Sequence, residues 1–172
     1  MAAPGPKMLN TANRALWAVP VIADIKNPTA AEINAGTNIT CLITAANYQF
    51  GITGNSRITD PAACDKIESD VPGRATAEVT FDAFRFKTLV DDVLWEMLPE
   101  AGVPMNFVER VGQILDTEDQ ETAPAKATDV VSVASVITHD PIPQSPATEG
   151  YEKVKHNTSI QAFSARSVVT GI

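Results

Sequence analysis

The chain has 172 residues, 44% of them apolar, with 21 acidic and 13 basic residues and a formal charge of −8. That length fits one domain, or one domain with arms, and the apolar content excludes a globally disordered chain. The acidic balance argues against binding nucleic acid by phosphate neutralisation, which needs clustered Lys and Arg, and suits a surface that repels DNA.

Residues 1–14 are small, polar and rich in Pro and Gly, and read as a flexible N-terminal arm ahead of one domain over 15–172. Lys7 and Arg14 precede the apolar run 15–23, which imitates a signal peptide cleaved after Ala23. Pro20 interrupts that run, and its alternation leads directly into structured sequence. Residues 17–25 therefore read as a strand, with Pro20 marking an edge or a bulge. The strand stops at Asn27-Pro28. Thr29-Ala-Ala-Glu32 is a capping box: the threonine oxygen accepts the Glu32 amide, and the glutamate reaches back to the Thr29 amide. Gly36 is expected to stop the short helix in a left-handed conformation. A second strand follows over 39–44, with Cys41 as a small buried hydrophobe.

Residues 46–73 hold Gly51, Gly54, Asn55, Pro61, Pro72 and Gly73 and read as a long loop, broken by short β pieces near 48–52 and 57–58. Residues 74–86 form the cleanest strand, with Ala75, Ala77, Val79, Phe81 and Ala83 on one face. The spacing of Val90, Val93, Leu94, Met97 and Leu98 predicts one helix over 88–98, capped by Thr88 and ended by Pro99. Residues 105–111 are a strand. An acidic loop, 112–128, carries Asp116, Glu118, Asp119 and Glu121. Residues 130–138 are β-branched on both faces, as in a doubly covered central strand. A Pro-rich link over 140–150 leads to a last strand, 159–170. The fold class is mainly β: an antiparallel β-sandwich or barrel with one flanking α-helix.

No chemistry-bearing constellation stands out, so no catalytic, cofactor-binding or metal residues are assigned, and the chain does not read as an enzyme. Asp91 and Asp92 point about 100° apart on a helix and suit its positive first turn. Asp60, Asp65, Glu68 and Asp70 fit no calcium-loop spacing. His139 and His156 have no third ligand at metal spacing, and no nucleophile motif accompanies them. Cys41 and Cys64, 23 residues apart, match no metal pattern; their spacing leaves a disulfide open. Asn38-Ile-Thr40 and Asn157-Thr-Ser159 match the glycosylation pattern by chance frequency. No run of about 18 apolar residues offers a transmembrane helix. Trp17 and Trp95 read as core anchors, and Tyr48, Phe50 and Tyr151 as interface candidates.

The order of these pieces carries a resemblance. It runs through the strand 17–25, NPTAAEINAG over 27–36, ITCLI over 39–43, RATAE over 74–78, LWEML over 94–98, FVERVG over 107–112, DVVSVASV over 129–136 and IQAF over 160–163. In this order the chain resembles the major tail, or tail tube, proteins of long-tailed bacteriophages, especially those infecting actinobacteria. The resemblance spans roughly residues 15–170 and is weakest in 54–70 and in the acidic loop. It implies a self-assembling structural virion protein, built in the host cytoplasm. Hexameric rings would stack into a hollow tube, the conduit for DNA ejection, through which DNA passes without specific binding. The implied partners are other copies of the chain and the tape measure, tail terminator and distal tail proteins, with no membrane and no cofactor. The alternative reading of the same pattern is a secreted β-sandwich module binding carbohydrate or a cell surface.

Overall fold

The computed structural model describes residues 13–59, 63–64, 70–112, 119–144 and 150–171. Among the described residues there are eight strands: β1 (Arg14–Val19), β2 (Thr37–Asn38), β3 (Gln49–Thr59), β4 (Asp70–Phe84), β5 (Pro104–Val111), β6 (Val130–Thr138), β7 (Ile142–Gln144) and β8 (Lys153–Val168). Two short helices, α1 (Ala30–Ala35) and α2 (Val93–Met97), flank them. The sheet order is β2-β1-β5-β6-β8-β4-β3, every pairing is antiparallel, and β7 pairs with β8.

β8 is the strand that joins two sheet halves. Its first five residues pair with the end of β4, and the rest pairs with β6. Register shifts near Ser135 and Ser132 accompany the change of direction, as bulges do. The segment after β2 then closes the sheet. Thr37 and Asn38 pair with β1, and Ile39 N donates to Leu16 O at 2.8 Å. A 3-10 turn, Thr40–Leu42, crosses over. Ile43 then bridges to Ala83, and Thr44 N donates to Asp82 O at 2.8 Å. One segment thus reaches both ends of the strand order.

The wall β1-β5-β6 is covered on both faces. On one side Leu16, Phe81, Leu94, Leu98, Phe107 and Val136 form a cluster roofed by α2 and β4. Phe81 meets Phe107 edge-on at 5.4 Å, the preferred geometry for two ring quadrupoles. On the other side Trp17, Val19, Ile33, Val108, Val131 and Val133 form a second cluster beneath α1 and the segment around Ala125. β6 is therefore the doubly covered central strand that its β-branched residues indicate.

Several elements differ from expectation. β1 spans 14–19 and stops before Pro20, which cannot donate to a ladder. The expected strand 39–44 is the 3-10 turn, because its Ile and Leu side chains serve the closure. Cys41 there is exposed, as is Cys64, and both thiols are free. Much of the expected loop 46–73 is strand, since β3 and β4 form a hairpin from Gln49↔Thr80 out to Thr59↔Asp70. Its register shifts between Ile52 and Gly54 and again between Asn55 and Arg57, and Gly51, just before the first shift, has φ 126°. The expected helix 88–98 shortens to α2. Thr88 to Asp91 makes a turn, with Asp91 N donating to Thr88 O at 3.1 Å, so Thr88 caps no helix. The Pro-rich link contains β7. Of the expected N-terminal arm, residues 1–12 lie outside the description, and Arg14 opens β1.

The capping box is present. Glu32 N donates to Thr29 Oγ1 at 3.1 Å, and Thr29 N donates to Glu32 Oε2 at 2.8 Å. Glu32 Oε1 also accepts the Ala23 amide at 2.9 Å. These backbone donors, Ala23 first, hold the Glu32 carboxyl below its usual range. Gly36 is extended (φ −75°, ψ 174°) rather than left-handed. Its requirement is space: a Cβ there would lie 2.6 Å from Val19 Cγ2 and 2.8 Å from Ala18 O.

Thr29→Ala is expected to lower unfolding free energy by about 1 kcal/mol in urea titration. Gly36→Ala is expected to cost more, about 1–3 kcal/mol, through overpacking against β1. Equal costs for the two variants would contradict this reading of Gly36.

Candidate functional site

The charged residues that the fold gathers are structural hubs and surfaces. Arg110, fully buried on β5, donates to Asp129 Oδ2 at 2.8 Å and to the carbonyls of Pro124, Gln120 and Ala123 at 2.9, 3.1 and 2.7 Å. Its guanidinium lies 5.0 Å from the centre of the Trp17 ring. Nearby, Asn34 exchanges two hydrogen bonds with the Ala125 backbone, at 2.9 and 2.8 Å. The described part of the expected acidic loop, 119–128, is thus pinned as a lid over the second cluster. Asp119 and Glu121 belong to it; Asp116 and Glu118 lie outside the described residues.

A second cluster lines a groove of about 590 Å³ bounded by Arg14, Cys41, Thr44, Tyr48 and Phe50. Arg14 Nη1 donates to Glu109 Oε1 at 2.6 Å, and the Tyr48 hydroxyl donates to the same oxygen at 2.8 Å. Burial pushes the Glu109 carboxyl up, against the pull of Tyr48 and Arg14. Burial, with the Glu109 charge, also pushes the Tyr48 hydroxyl up. Tyr48 is therefore a strut between the start of β3 and β5, and Phe50 packs on Phe163 with ring centres 6.0 Å apart. Neither is a freely exposed contact residue, whereas Tyr151 is exposed.

Asp91 and Asp92 do not share a helix turn. Asp92 is buried and accepts Arg85 Nε at 2.6 Å, while the Arg85 guanidinium stacks 3.8 Å over the Trp95 ring. Asp91 accepts the Thr88 hydroxyl. Local pairing holds both, and Asp92 also stands at the N-cap of α2. Asp70 pairs with Arg57 at 3.2 Å; Asp60, Asp65 and Glu68 lie outside the described residues. His139 shares a hydrogen bond with Ser159 Oγ at 2.7 Å. His156 is buried against Phe81, and its Nδ1 has no partner among the described residues. Burial depresses its pKa to about 4, opposed by the charge of Asp82. Asp82 is itself buried, accepting Asn47 and Gln144 at 2.8 and 3.1 Å.

Among the described residues no three His, Cys, Asp or Glu side chains gather to hold a metal ion, and no helix is long and apolar enough to cross a membrane. What the fold does present is an edge. β4 pairs with β8 only over Thr80–Phe84, so the hairpin from Gly51 to Ala77 extends past that ladder. Nearly all of β3 from Ile52 to Thr59 is exposed on both faces.

Residues 1–171 match the model of a family described as phage tail tube protein. The chain belongs to the phage tail tube protein family. No curated protein matches it. A tail tube protein is a structural component of the virion and assembles with copies of itself into a tube, so the edge strand and the hairpin arm are the natural places to seek its contacts. Sequence reasoning found the family but none of the hubs. Arg110, Glu109 and Asp82 had one signal: charged residues inside runs whose alternation puts them on faces shared with Val108, Phe107 and Thr80.

Removing Arg110 would leave the Asp129 charge and three carbonyls unpaired, so Arg110→Ala is expected to cost about 3–5 kcal/mol in chemical denaturation. His156 stays neutral in the fold down to about pH 4, whereas in the unfolded chain it takes a proton below pH 6.5. Its contribution is fully present above pH 6.5 and is lost as pH falls through that window, by up to about 1.4 kcal/mol per pH unit. His156→Gln should flatten this part of the stability–pH curve; an unchanged slope would assign the loss to other groups.

Proposed function

We propose that six copies of this chain close into a ring and that rings stack helically into the hollow tail tube through which the genome leaves on ejection. The observation that supports this most is the β3–β4 arm on a chain of this family. A two-stranded ribbon exposed on both faces is marginal by itself in water. It gains stability when another surface covers it. A heterologous contact that rotates and rises generates an open helical assembly.

In this reading residues 15–172 act as one unit, and function resides in surfaces, with no catalytic residue and no cofactor. The subunit's formal charge of −8 gives a six-copy ring a strongly negative field. A bore sharing that sign lets DNA slide without specific binding. The tape measure, tail terminator and distal tail proteins would meet the same tube at its axis and two ends. Assembly takes place in the host cytoplasm before the tail joins the virion. The sequence resemblance is strongest to the tail tube proteins of phages that infect actinobacteria.

Electron microscopy of the purified protein, alone and with its tail-assembly partners, is expected to show hollow tubes with six-fold end views. Compact monomers in every condition, together with absence of the protein from virion tails, would overturn the proposal.

A further inference from the structure

We propose that the fold binds one internal water molecule at the join between β5 and the lid, bridging the Nε–H of Arg110 to the side-chain oxygen of Gln120.

Three buried side-chain atoms have no hydrogen-bond partner among the described residues: Arg110 Nε, Gln120 Oε1 and His156 Nδ1. Two of the three belong to residues that already touch, since Arg110 Nη2 donates to the Gln120 carbonyl at 3.1 Å. Those two atoms are also opposite in kind. Nε carries a hydrogen to donate, and an amide oxygen accepts. Bulk solvent serves neither, because Arg110 is fully buried and Gln120 is 5% exposed. His156 Nδ1 lies elsewhere, on β8 beside Phe81, and has no such complement.

The geometry of the guanidinium sets a direction. Its Nε hydrogen and one Nη2 hydrogen point along the same edge of the plane, the fork that arginine offers to acceptors. Gln120 O and Ala123 O take Nη2, at 3.1 and 2.7 Å, so the Gln120 backbone stands beside the guanidinium. The Gln120 side chain then reaches two residues further along the chain from Arg110, where its Nε2 donates to Gly112 O. That bond orients the amide: exchanging its nitrogen and oxygen would set two oxygens against each other. Gln120 thus meets β5 and its end at two points, and its side-chain oxygen is left over at the same join.

One water answers both atoms. It accepts from Nε–H and donates to Oε1, and for its second hydrogen the carbonyls around the guanidinium each keep a second lone pair. Buried waters are found where polar groups inside a protein would otherwise go unmet, typically with about three hydrogen bonds each. The chemistry excludes an ion. An anion would accept from Nε but be repelled by Oε1, and Asp129 already balances the Arg110 charge. A cation would face the guanidinium. An amide at position 120 suits this arrangement because it offers a donor for Gly112 O and an acceptor for the water; leucine offers neither.

The test is NMR of the full-length chain labelled with ¹⁵N, reading the Arg110 Nε–H signal. A cross-peak to water is expected, with the sign of a molecule that tumbles with the protein. Gln120→Leu should lose it. A wild-type Nε–H signal without that cross-peak would overturn the proposal. So would a cross-peak that survives in Gln120→Leu with the lid amides unchanged, since the water would then have other partners. A saturable shift of the signal with chloride or inorganic phosphate would assign an anion instead and overturn it too. Gln120→Leu also removes the bond to Gly112 O and can loosen the lid, so a crystal structure of the wild-type chain decides the matter independently. It should show one water at about 2.7–3.2 Å from both atoms. A direct Nε–Oε1 bond there, or a group from residues 113–118 in the same place, would overturn the bridge.

Discussion

The buried guanidinium of Arg110 is the interaction on which much of the fold depends. An unpaired cation at that depth would be prohibitive. Here Asp129 neutralises it, that carboxylate and three carbonyls take the bonds of its two Nη atoms, Trp17 covers its face, and Nε alone has no partner among the described residues. Each of those partners except Trp17 comes from the segment 120–129. The same bonds that satisfy the charge therefore hold that segment over β1, β5 and β6. Without the lid, Val131, Val133 and Trp17 would face water, and the wall would be buried on one side only. A polar hub thus decides whether the apolar cluster can form.

The second constraint is closure. A mainly antiparallel sheet that bends through β8 has two ends, and the segment from Thr37 to Thr44 touches both. Its apolar side chains, Ile39 above all, enter the first cluster while its backbone supplies hydrogen bonds to β1 and β4. Arg14, Tyr48 and Glu109 repeat that logic with side chains, tying the starts of β1 and β3 to β5. Order is therefore densest where chain distance is greatest. It thins toward the β3–β4 arm, which has ladder bonds but few apolar neighbours, the profile of a segment low on the local stability scale.

How much of this was legible in the sequence follows from the range of each interaction. The capping box at Thr29 is local, and its geometry is as the four residues indicate. β5 and β6 were legible because β-branched runs between turn signals leave little choice. The segment 39–44 was not: a short apolar run has the same composition as a strand or as a turn packed on a core, and only the distant edges of β1 and β4 decide. Gly36 announced a special backbone, but the cause is Val19 across the gap, a tertiary fact. In the arm, Gly and Pro suggested a loop because the residues that sustain β3 are backbone partners on β4, which periodicity does not register. The helix before Leu98 was overread for the opposite reason, since Val90 satisfies the helical spacing while the Arg85–Asp92 pair and the Thr88 turn shorten the element.

The surfaces were the least legible part, and physics says why. An active site compresses function into a few residues of special chemistry, and these leave marks in sequence. An assembling subunit distributes function over edges and patches made of ordinary Ile, Val, Leu and Tyr. Their meaning depends on where the fold leaves them. The order of elements could carry a family likeness for this chain while no single residue announced a role, because order fixes which strand ends at which pole. The arm then follows from one decision of the fold: to let β4 run past β8 at one end.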